Sequence, residues 1–330
     1  MKGVKTILKK IISVALLLTI ILLIFFFLLN SSKSHNNPPK KEVGNLKIQQ
    51  REDGDLNYKQ TITWGVKDTV IKKINSNTKN IIKVAILDSG INKNHPDLKG
   101  QVVKEFNAIN PQEPVIDKLN HGTAVAGIIA AKDNSIGIKG VAPNVKIYSV
   151  KVLNDNGEGT IDNIIRGINW CIDQKVDIMN ISFGLKSNNP KLKSIIDKAR
   201  NSGIIIVASS GNNYIRDVDY PARYENVISV GSINKEHQRV KFSPRGKIDF
   251  VAPGRGILST NNKNGYSLFE GTSYSAAFIT GLIALYMTDN SEHKIYKNQD
   301  ELVRLLQDKS LDLGVKGKDN VYGYGLLQFK

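Results

Sequence analysis

The chain has 330 residues, a formal net charge of +16 and one cysteine, Cys171. A single cysteine excludes an internal disulfide, and the length allows one large domain or two ordinary ones. The positive charge is spread without an aromatic-rich basic motif, so we expect solubility or attraction to anionic surfaces rather than nucleic-acid binding.

The N-terminus carries an apolar run that predicts a membrane anchor. Residues 11–29 contain no charge and follow four lysines in the basic stub, residues 1–10. As a helix the run would span roughly 28 Å, close to the thickness of a bilayer core. A cleaved signal peptide usually has a shorter apolar core and a small-residue exit, which the residues after Leu29 match poorly. We favour an uncleaved single-pass anchor with the rest of the chain extracytoplasmic; secretion after signal cleavage is the alternative.

The next segment, residues 30–59, is polar and includes Pro38 and Pro39. It is typical of a flexible tether, with a reach of roughly 30 Å that would keep the following domain near the membrane face. Beyond it, strands and helices alternate without a Pro/Ser-rich break. Residues 60–330 are therefore predicted to form one α/β domain, a doubly wound, mostly parallel sheet flanked by helices.

The predicted elements follow in chain order from residue 81. Strands are predicted at 81–87, 145–153, 176–181, 203–208 and 226–230. Helices are predicted from residue 121 and at 160–174, 190–201 and 276–287. Cys171 lies in the second of these helices beside Trp170, so we interpret it as a packed core thiol rather than a reactive one.

Four short stretches carry groups that could react together. Asp88 ends the first strand in VAILDSGI, His121 opens NHGTAVAG, Asn212 follows a later strand, and Ser273 lies in GTSYSAAFITG at a helix start. A serine hydroxyl needs a histidine to take its proton and a carboxylate to orient the imidazole. The resulting oxyanion needs donors, which the Asn212 amide and the Ser273 N–H would supply. The set indicates acyl transfer by a hydroxyl nucleophile, without a catalytic cofactor.

These stretches resemble the subtilisin-like serine proteases over about residues 60–327. They match the family patterns D-S/T-G, H-G-T-x-V-A-G, G-N after a strand, and G-T-S-x-A/S, in the Asp, His, Ser order of subtilisin. Further matches are HPDL at 95–98, NSIGIKGVAP at 134–143, VAPG at 251–254 and GYG at 323–325. The usual residues are absent at Ala124, Tyr274, Ser275, Ala277 and Phe278, none of which removes a catalytic group.

The resemblance implies a monomeric serine endopeptidase that acts on peptides or proteins, with Asp88, His121 and Ser273 as the catalytic residues and Asn212 as oxyanion donor. A subtilase-like scaffold that binds peptides without cutting is the competing interpretation. Such proteins usually lose a triad member, whereas this chain keeps all four groups. A secreted general-purpose protease is a second alternative; the anchor favours a tethered enzyme that processes exported peptides.

The resemblance also implies a structural calcium site. The implied ligands are the side chains of Gln60, Asp97 and Asn134 and the carbonyls of Lys132, Ile136 and Ile138. Calcium takes six to eight hard oxygen ligands, which such a set would largely supply. The alternative is that DNSIG is only a polar turn and HPDL only a loop.

An extended substrate is implied between two backbone edges. The edges are Gly157, Glu158 and Gly159 on one side and Ser182, Phe183 and Gly184 on the other. The pocket for the residue before the cut would have Ser209 and Ser210 on its second wall and Asp219 as its floor. That carboxylate would attract Arg or Lys, with Glu158 adding negative potential, unless Asp219 faces solvent or caps a turn. Asn180, ahead of the first wall, either orients the site or is a structural residue.

Overall fold

The computed structural model describes residues 59–71, 81–214, 217–289 and 299–330. The predicted stub, anchor and tether lie outside the described residues, apart from Lys59. In the part of the chain that is described, no helix is both long and apolar enough to span a bilayer.

The described chain alternates strands and helices. The helices are α1 (Trp64–Thr69), α2 (Gly122–Ala130), α3 (Ile161–Asp173), α4 (Pro190–Asn201), α5 (Thr272–Asp289) and α6 (Gln299–Gln307). The strands are β1 (Lys83–Asp88), β2 (Val102–Asn107), β3 (Lys146–Lys151), β4 (Ile178–Ile181), β5 (Ile205–Ser209), β6 (Ile228–Ile233), β7 (Phe250–Pro253), β8 (Ile257–Thr260), β9 (Tyr266–Phe269), β10 (Ser310–Leu311) and β11 (Leu326–Leu327).

Among these residues, nine strands form one sheet in the order β10-β11-β7-β6-β5-β4-β1-β3-β2, and β8 pairs with β9 separately. Every pairing in the large sheet is parallel except that of β10 with β11. The predicted mostly parallel α/β sheet is therefore confirmed.

Helices cover both faces of the sheet. In β1, Val84 and Ile86 belong to a core cluster with α2 and α5, whereas Ala85 and Leu87 belong to a second cluster with α3 and α4. Successive side chains of a strand point to opposite faces, and both faces of a parallel sheet are normally covered by helices. Cys171 is fully buried in the second cluster, and burial raises the pKa of its thiol, consistent with an unreactive core residue.

The ends of α4 follow from local signals. The helix predicted at 190–201 has those bounds because Pro190 occupies its first turn and the Asn189 side chain accepts hydrogen bonds from the N–H groups of Lys191 and Leu192. The strand predicted at 145–153 is shorter, Lys146–Lys151. Strand β2 has no counterpart in the prediction because it lies at the sheet edge, where only Asn107 of its six residues is buried, so its sequence lacks a continuous apolar run.

The sheet order explains how distant residues reach one edge. Strand β1 pairs with β4, and β4 pairs with β5, all in parallel. Their carboxyl ends therefore lie side by side, with Asp88 ending β1, Ser182 following β4 and Ser209 ending β5. This is the edge at which open parallel sheets gather functional groups.

Candidate active site

An acid–base pair lies at the carboxyl end of β1. His121 Nδ1 is 2.8 Å from Oδ1 and 2.9 Å from Oδ2 of Asp88, and the carboxylate is almost fully buried. The backbone N–H of Ser89 donates to the same carboxylate at 2.7 Å. Because Nδ1 is held by the carboxylate, Nε2 of the ring is left for a second partner, which is the arrangement that a general base requires.

The close approach of β1 and α2 depends on Gly122. A Cβ at this position would lie 2.1 Å from the carbonyl oxygen of Gly90 and 3.1 Å from Cβ of Asp88. No larger residue fits there without moving the backbone that carries the acid. The glycine after His121 thus sets the distance between the two members of the pair.

A second buried carboxylate, Asp117, supports the pair and was not predicted. It accepts hydrogen bonds from the hydroxyls of Ser89 at 2.8 Å and Thr123 at 2.6 Å. Burial alone would lower the pKa of His121, but the charge and hydrogen bond of Asp88 and the charge of Asp117 raise it above its usual value. Asp117 lies in the segment PVIDKLN, where apolar and polar residues follow no regular period, so no pattern distinguishes it from an exposed loop acid.

Ser273 occupies the first turn of α5. Its hydroxyl donates to the carbonyl oxygen of Ser182 at 2.9 Å rather than to His121. A rotation about its Cα–Cβ bond would be needed for donation to the histidine, a change common between free and substrate-bound enzymes. Its backbone N–H belongs to the first turn of the helix, where such groups have no intrahelical acceptor. The hydroxyl and a free donor therefore lie on one residue.

The following residue, Tyr274, packs behind the histidine. Its ring centroid lies 5.4 Å from that of His121 and 5.2 Å from that of Phe269. Burial, with the charges of Asp88 and Asp117, raises the pKa of its hydroxyl. This departure from the family's usual residue thus gives the histidine an aromatic wall.

Thr272 orients the Asn212 amide, a role that the sequence did not indicate. Asn212 Oδ1 accepts from the Thr272 N–H at 3.0 Å and lies 3.1 Å from its hydroxyl. The amide nitrogen faces the turn before α5, since a Cβ at Gly271 would lie 3.2 Å from it. With its oxygen engaged, the amide has its NH₂ group available as a donor next to Ser273.

A chain of buried hydrogen bonds links α5 to the first predicted substrate edge. Thr280 donates to Asn180 Oδ1 at 2.9 Å, and Asn180 Nδ2 donates to the Ser182 hydroxyl at 2.7 Å. Asn180 therefore contacts the edge instead of only filling the core. Of the other edge residues, Phe183 is half-buried and Gly184 is exposed.

The second predicted edge is a tight loop. The Asn154 side chain accepts from the Glu158 N–H at 2.9 Å and donates to its carboxylate at 3.1 Å. Gly157 has a φ of +81°, and a Cβ at Gly159 would lie 2.9 Å from the carbonyl oxygen of Val152. Both glycines are thus required by the backbone, and Glu158 remains exposed.

Asp219 is 5 % exposed, so it does not face solvent. A Cβ at Gly184 would lie 2.6 Å from the Asp219 Cβ, and a Cβ at Gly211 would lie 2.4 Å from its Oδ2. Its side chain therefore fills the space between the two predicted walls. Ser209 and Ser210 are buried on the second wall, and the Asp219 N–H donates to the Ser210 carbonyl at 2.9 Å.

A further residue, Lys186, reaches the same carboxylate. Its Nζ lies 2.8 Å from Oδ2 and 3.1 Å from Oδ1 of Asp219. Asn213 Nδ2 donates to Oδ1 at 3.2 Å. Neither partner was predicted, because the pairing depends on a loop conformation that no sequence spacing encodes.

Oxygen atoms converge around the side chain of Gln60. Its amide nitrogen lies 2.7 Å from the Lys132 carbonyl and 3.2 Å from Asn134 Oδ1, and the Ile136 and Ile138 carbonyls both lie 3.4 Å away. The oxygen and the nitrogen of a glutamine amide are told apart only by their hydrogen bonds. A 180° flip of the Gln60 amide group would bring Oε1 into this ring of acceptors. A cation would satisfy all five oxygens.

Asp97 lies beside this ring with one oxygen unsatisfied. Its Oδ2 accepts from the Ile138 N–H and the Tyr266 hydroxyl, both at 2.9 Å, whereas Oδ1 is buried without a hydrogen-bond partner. Burial raises the pKa of Asp97 above its usual value. The described residues contain no cluster of three or more His, Cys, Asp or Glu side chains that could hold a metal, so any cation here would rely on amide and carbonyl oxygens together with the single carboxylate of Asp97. The six predicted residues fit that requirement.

Comparison with known proteins agrees with this geometry. A sequence model described as the subtilase family matches residues 79–325. The chain is similar to alkaline elastase YaB of Bacillus sp. (strain YaB), 40% identical over 72% of this chain and 63% of that protein. It is similar to subtilisin E of Bacillus subtilis (strain 168), 37% identical over 82% and 71%, and to the minor extracellular protease Epr of the same strain, 37% identical over 76% and 38%.

Proposed function

The chain belongs to the subtilase family of serine peptidases, and from that premise we propose that it is an endopeptidase with Asp88, His121 and Ser273 as its catalytic residues. The observation that carries the proposal is the Asp88–His121 pair, joined at 2.8 Å at the sheet edge where Ser273 begins a helix. Asn212 supplies the second oxyanion donor beside the Ser273 N–H.

The proposed reaction uses these groups in turn. His121 removes the Ser273 proton as the hydroxyl oxygen bonds to the scissile carbonyl carbon, and Asp88 stabilises the imidazolium. The oxyanion is bound by the Ser273 N–H and the Asn212 amide. His121 then protonates the leaving amine as the C–N bond breaks, and a water, deprotonated by His121, hydrolyses the acyl-enzyme. Tyr274 packs against the imidazole during both steps, and the charge of Asp117 adds to the stabilisation of the imidazolium.

Mass spectrometry of a peptide library incubated with the purified protein tests this proposal. We expect defined internal cuts that are blocked by a fluorophosphonate. Binding of peptides without any cut would instead favour the alternative of a non-catalytic scaffold.

We propose that this enzyme is a monomer anchored in the cell membrane by residues 11–29, with its protease domain on the extracytoplasmic side, where it would process exported peptides. The uncharged run after four lysines supports the anchor. One relative is named an extracellular protease, which supports an extracytoplasmic domain. If alkaline carbonate does not extract the chain from isolated membranes, the proposed anchor is supported. Recovery from the medium with a new N-terminus beyond residue 29 would favour the secreted general-purpose protease.

We also propose that calcium binds Gln60, Asp97, Asn134 and the carbonyls of Lys132, Ile136 and Ile138. The unsatisfied Asp97 oxygen and the ring of acceptors around Gln60 support this assignment. The ion would supply no step of the reaction. It would join the segment at Gln60, whose N–H donates to the Ser135 carbonyl at 3.0 Å, to the loop that holds the other ligands.

Removing calcium is expected to lower the melting temperature of the protein. At a calcium concentration a hundredfold above its Kd, binding would raise the free energy of unfolding by roughly 2.7 kcal/mol. Asp97→Asn should remove most of the response to calcium and to chelator in thermal melts. Asp133→Asn, a change in an exposed acid of the same loop, should preserve it. If neither calcium nor chelator changes the melting temperature of the unaltered protein, the proposed calcium site is contradicted.

The position of Asp219 between Gly184 and Gly211 supports a pocket that accepts a basic residue before the cut. A charge-assisted hydrogen bond to that carboxylate is worth roughly ten- to a hundredfold in kcat/KM for Arg over Leu. Asp219→Asn keeps the shape of the pocket floor and should remove the preference, measured with paired peptides that differ only at this residue. Asp217→Asn changes an exposed acid nearby and should leave it unchanged. Equal cutting after Arg and Leu by both the unaltered enzyme and Asp219→Asn would contradict the acidic pocket.

A further inference from the structure

The Asp219 carboxylate at the pocket floor forms an ion pair with a lysine of this chain. The Lys186 ammonium contacts both Asp219 oxygens, at 2.8 and 3.1 Å. The two side chains differ in environment, because that of Lys186 is 56% exposed and that of Asp219 is 7% exposed. The lysine thus approaches a buried acid from the solvent side.

The backbone holds these two residues together. Leu185 and Tyr220 exchange two backbone hydrogen bonds, of 2.7 and 2.9 Å, immediately before Lys186 and immediately after Asp219. A buried carboxylate needs a counter-charge or several donors. Among the described residues, the other side-chain donor to this carboxylate is Asn213, a neutral amide at 3.2 Å. In the free enzyme Lys186 is therefore the counter-ion of Asp219.

We propose that Lys186 is a specificity-determining residue that competes with a basic substrate side chain for Asp219. This inference rests on the proposed function and on Asp219 as the pocket floor. An entering Arg or Lys must either displace the Lys186 ammonium or lie beside it, and like charges at one carboxylate repel each other. Displacement is possible because the lysine side chain is largely solvated and such partly exposed pairs are weak.

The consequence is a reduced preference for basic residues. A neutral side chain leaves the Lys186–Asp219 pair intact, so that Asp219 is not left uncompensated when Leu or Phe is bound. The lysine therefore widens the range of residues accepted before the cut, whereas a bare carboxylate would restrict it to Arg and Lys.

The test compares kcat/KM for two peptides that differ only in Arg or Leu before the cut, using the full chain. Lys186→Met keeps the length of the side chain and removes its charge. We expect the Arg-to-Leu ratio to rise about two- to fivefold. Lys193→Met should not change the ratio, since Lys193 is similarly exposed but pairs with Asp197 on α4.

A double-mutant cycle separates this inference from the proposals beneath it. In Asp219→Asn, adding Lys186→Met should raise the ratio less than it does in the unaltered enzyme, because the carboxylate for which the cations compete is gone and only their weak mutual repulsion is removed. If the Arg-to-Leu ratio of kcat/KM is unchanged by Lys186→Met but falls in Asp219→Asn, the role of Lys186 is overturned and the acidic pocket is supported. If neither substitution changes the ratio, the acidic pocket is rejected. If the unaltered protein cuts no peptide, the proposed peptidase activity is itself rejected.

Discussion

Replacing Ser273 by alanine is expected to abolish peptide cleavage and labelling by fluorophosphonates. Removing the nucleophile from a subtilisin lowers kcat by about 10⁶-fold, and we expect a loss of that order. The folded state should persist, because the hydroxyl makes one hydrogen bond as donor, to the Ser182 carbonyl at 2.9 Å, and the removed atom is small. Cleavage rates, probe uptake and a thermal melt of the same preparation measure the three effects.

Ser275 provides the matched control in the same helix. Its hydroxyl donates toward the carbonyls of Ala252 and Pro253, at 3.0 and 3.2 Å, on the buried side of α5. Ser275→Ala makes the same chemical change two residues away and should keep both cleavage and labelling. Uptake of the probe by Ser273→Ala at the unaltered rate would show that another residue is the nucleophile.

Asn212→Ala is expected to lower kcat by about 10²–10³ with little change in KM, the magnitude known for an oxyanion-hole amide of subtilisin. The amide should bind charge that is present mainly in the transition state, so its loss should not weaken substrate binding. The Thr272 contacts to Asn212 Oδ1, at 3.0 and 3.1 Å, hold the NH₂ group toward the reacting centre.

Two further variants give this experiment its controls. Thr272→Val removes one of the two contacts that orient the amide and should produce a smaller loss of kcat than Asn212→Ala does. Asn226→Ala removes a distant amide that lies near Asp197 and should leave kcat unchanged. An Asn212→Ala enzyme with unaltered kcat would remove this residue from the proposed oxyanion hole.

The sequence predicts those parts of the site that are encoded locally. Asp88 was predicted at the end of a strand because a buried apolar run precedes it, and Ser273 at a helix start because a long apolar pattern follows it. Both positions agree with the structure. The central strands were predicted for the same reason, whereas edge strand β2 and the short strands near the C-terminus carry no comparable pattern.

The residues that the sequence did not reveal act through tertiary contacts. Asp117 gains its role by turning inward to Ser89 and Thr123, and Thr272 by facing Asn212 across a chain separation of 60 residues. Lys186 looks like an ordinary surface lysine until its loop pairs with that of Asp219. Such roles depend on which side chains face each other, and neither hydrophobic periodicity nor a short motif contains that information.

The pairing of β1 with β4 divides the proposed machinery into two groups. The acid and base arrive with β1 and α2, whereas the nucleophile and the oxyanion donors belong to α5 and the loop after β5. A chain in which these strands have not yet joined holds both groups but cannot cut a peptide, so incompletely folded copies cannot digest one another. Recovery of activity after dilution from denaturant would therefore report the pairing of β1 with β4, an event that helix content alone would not detect.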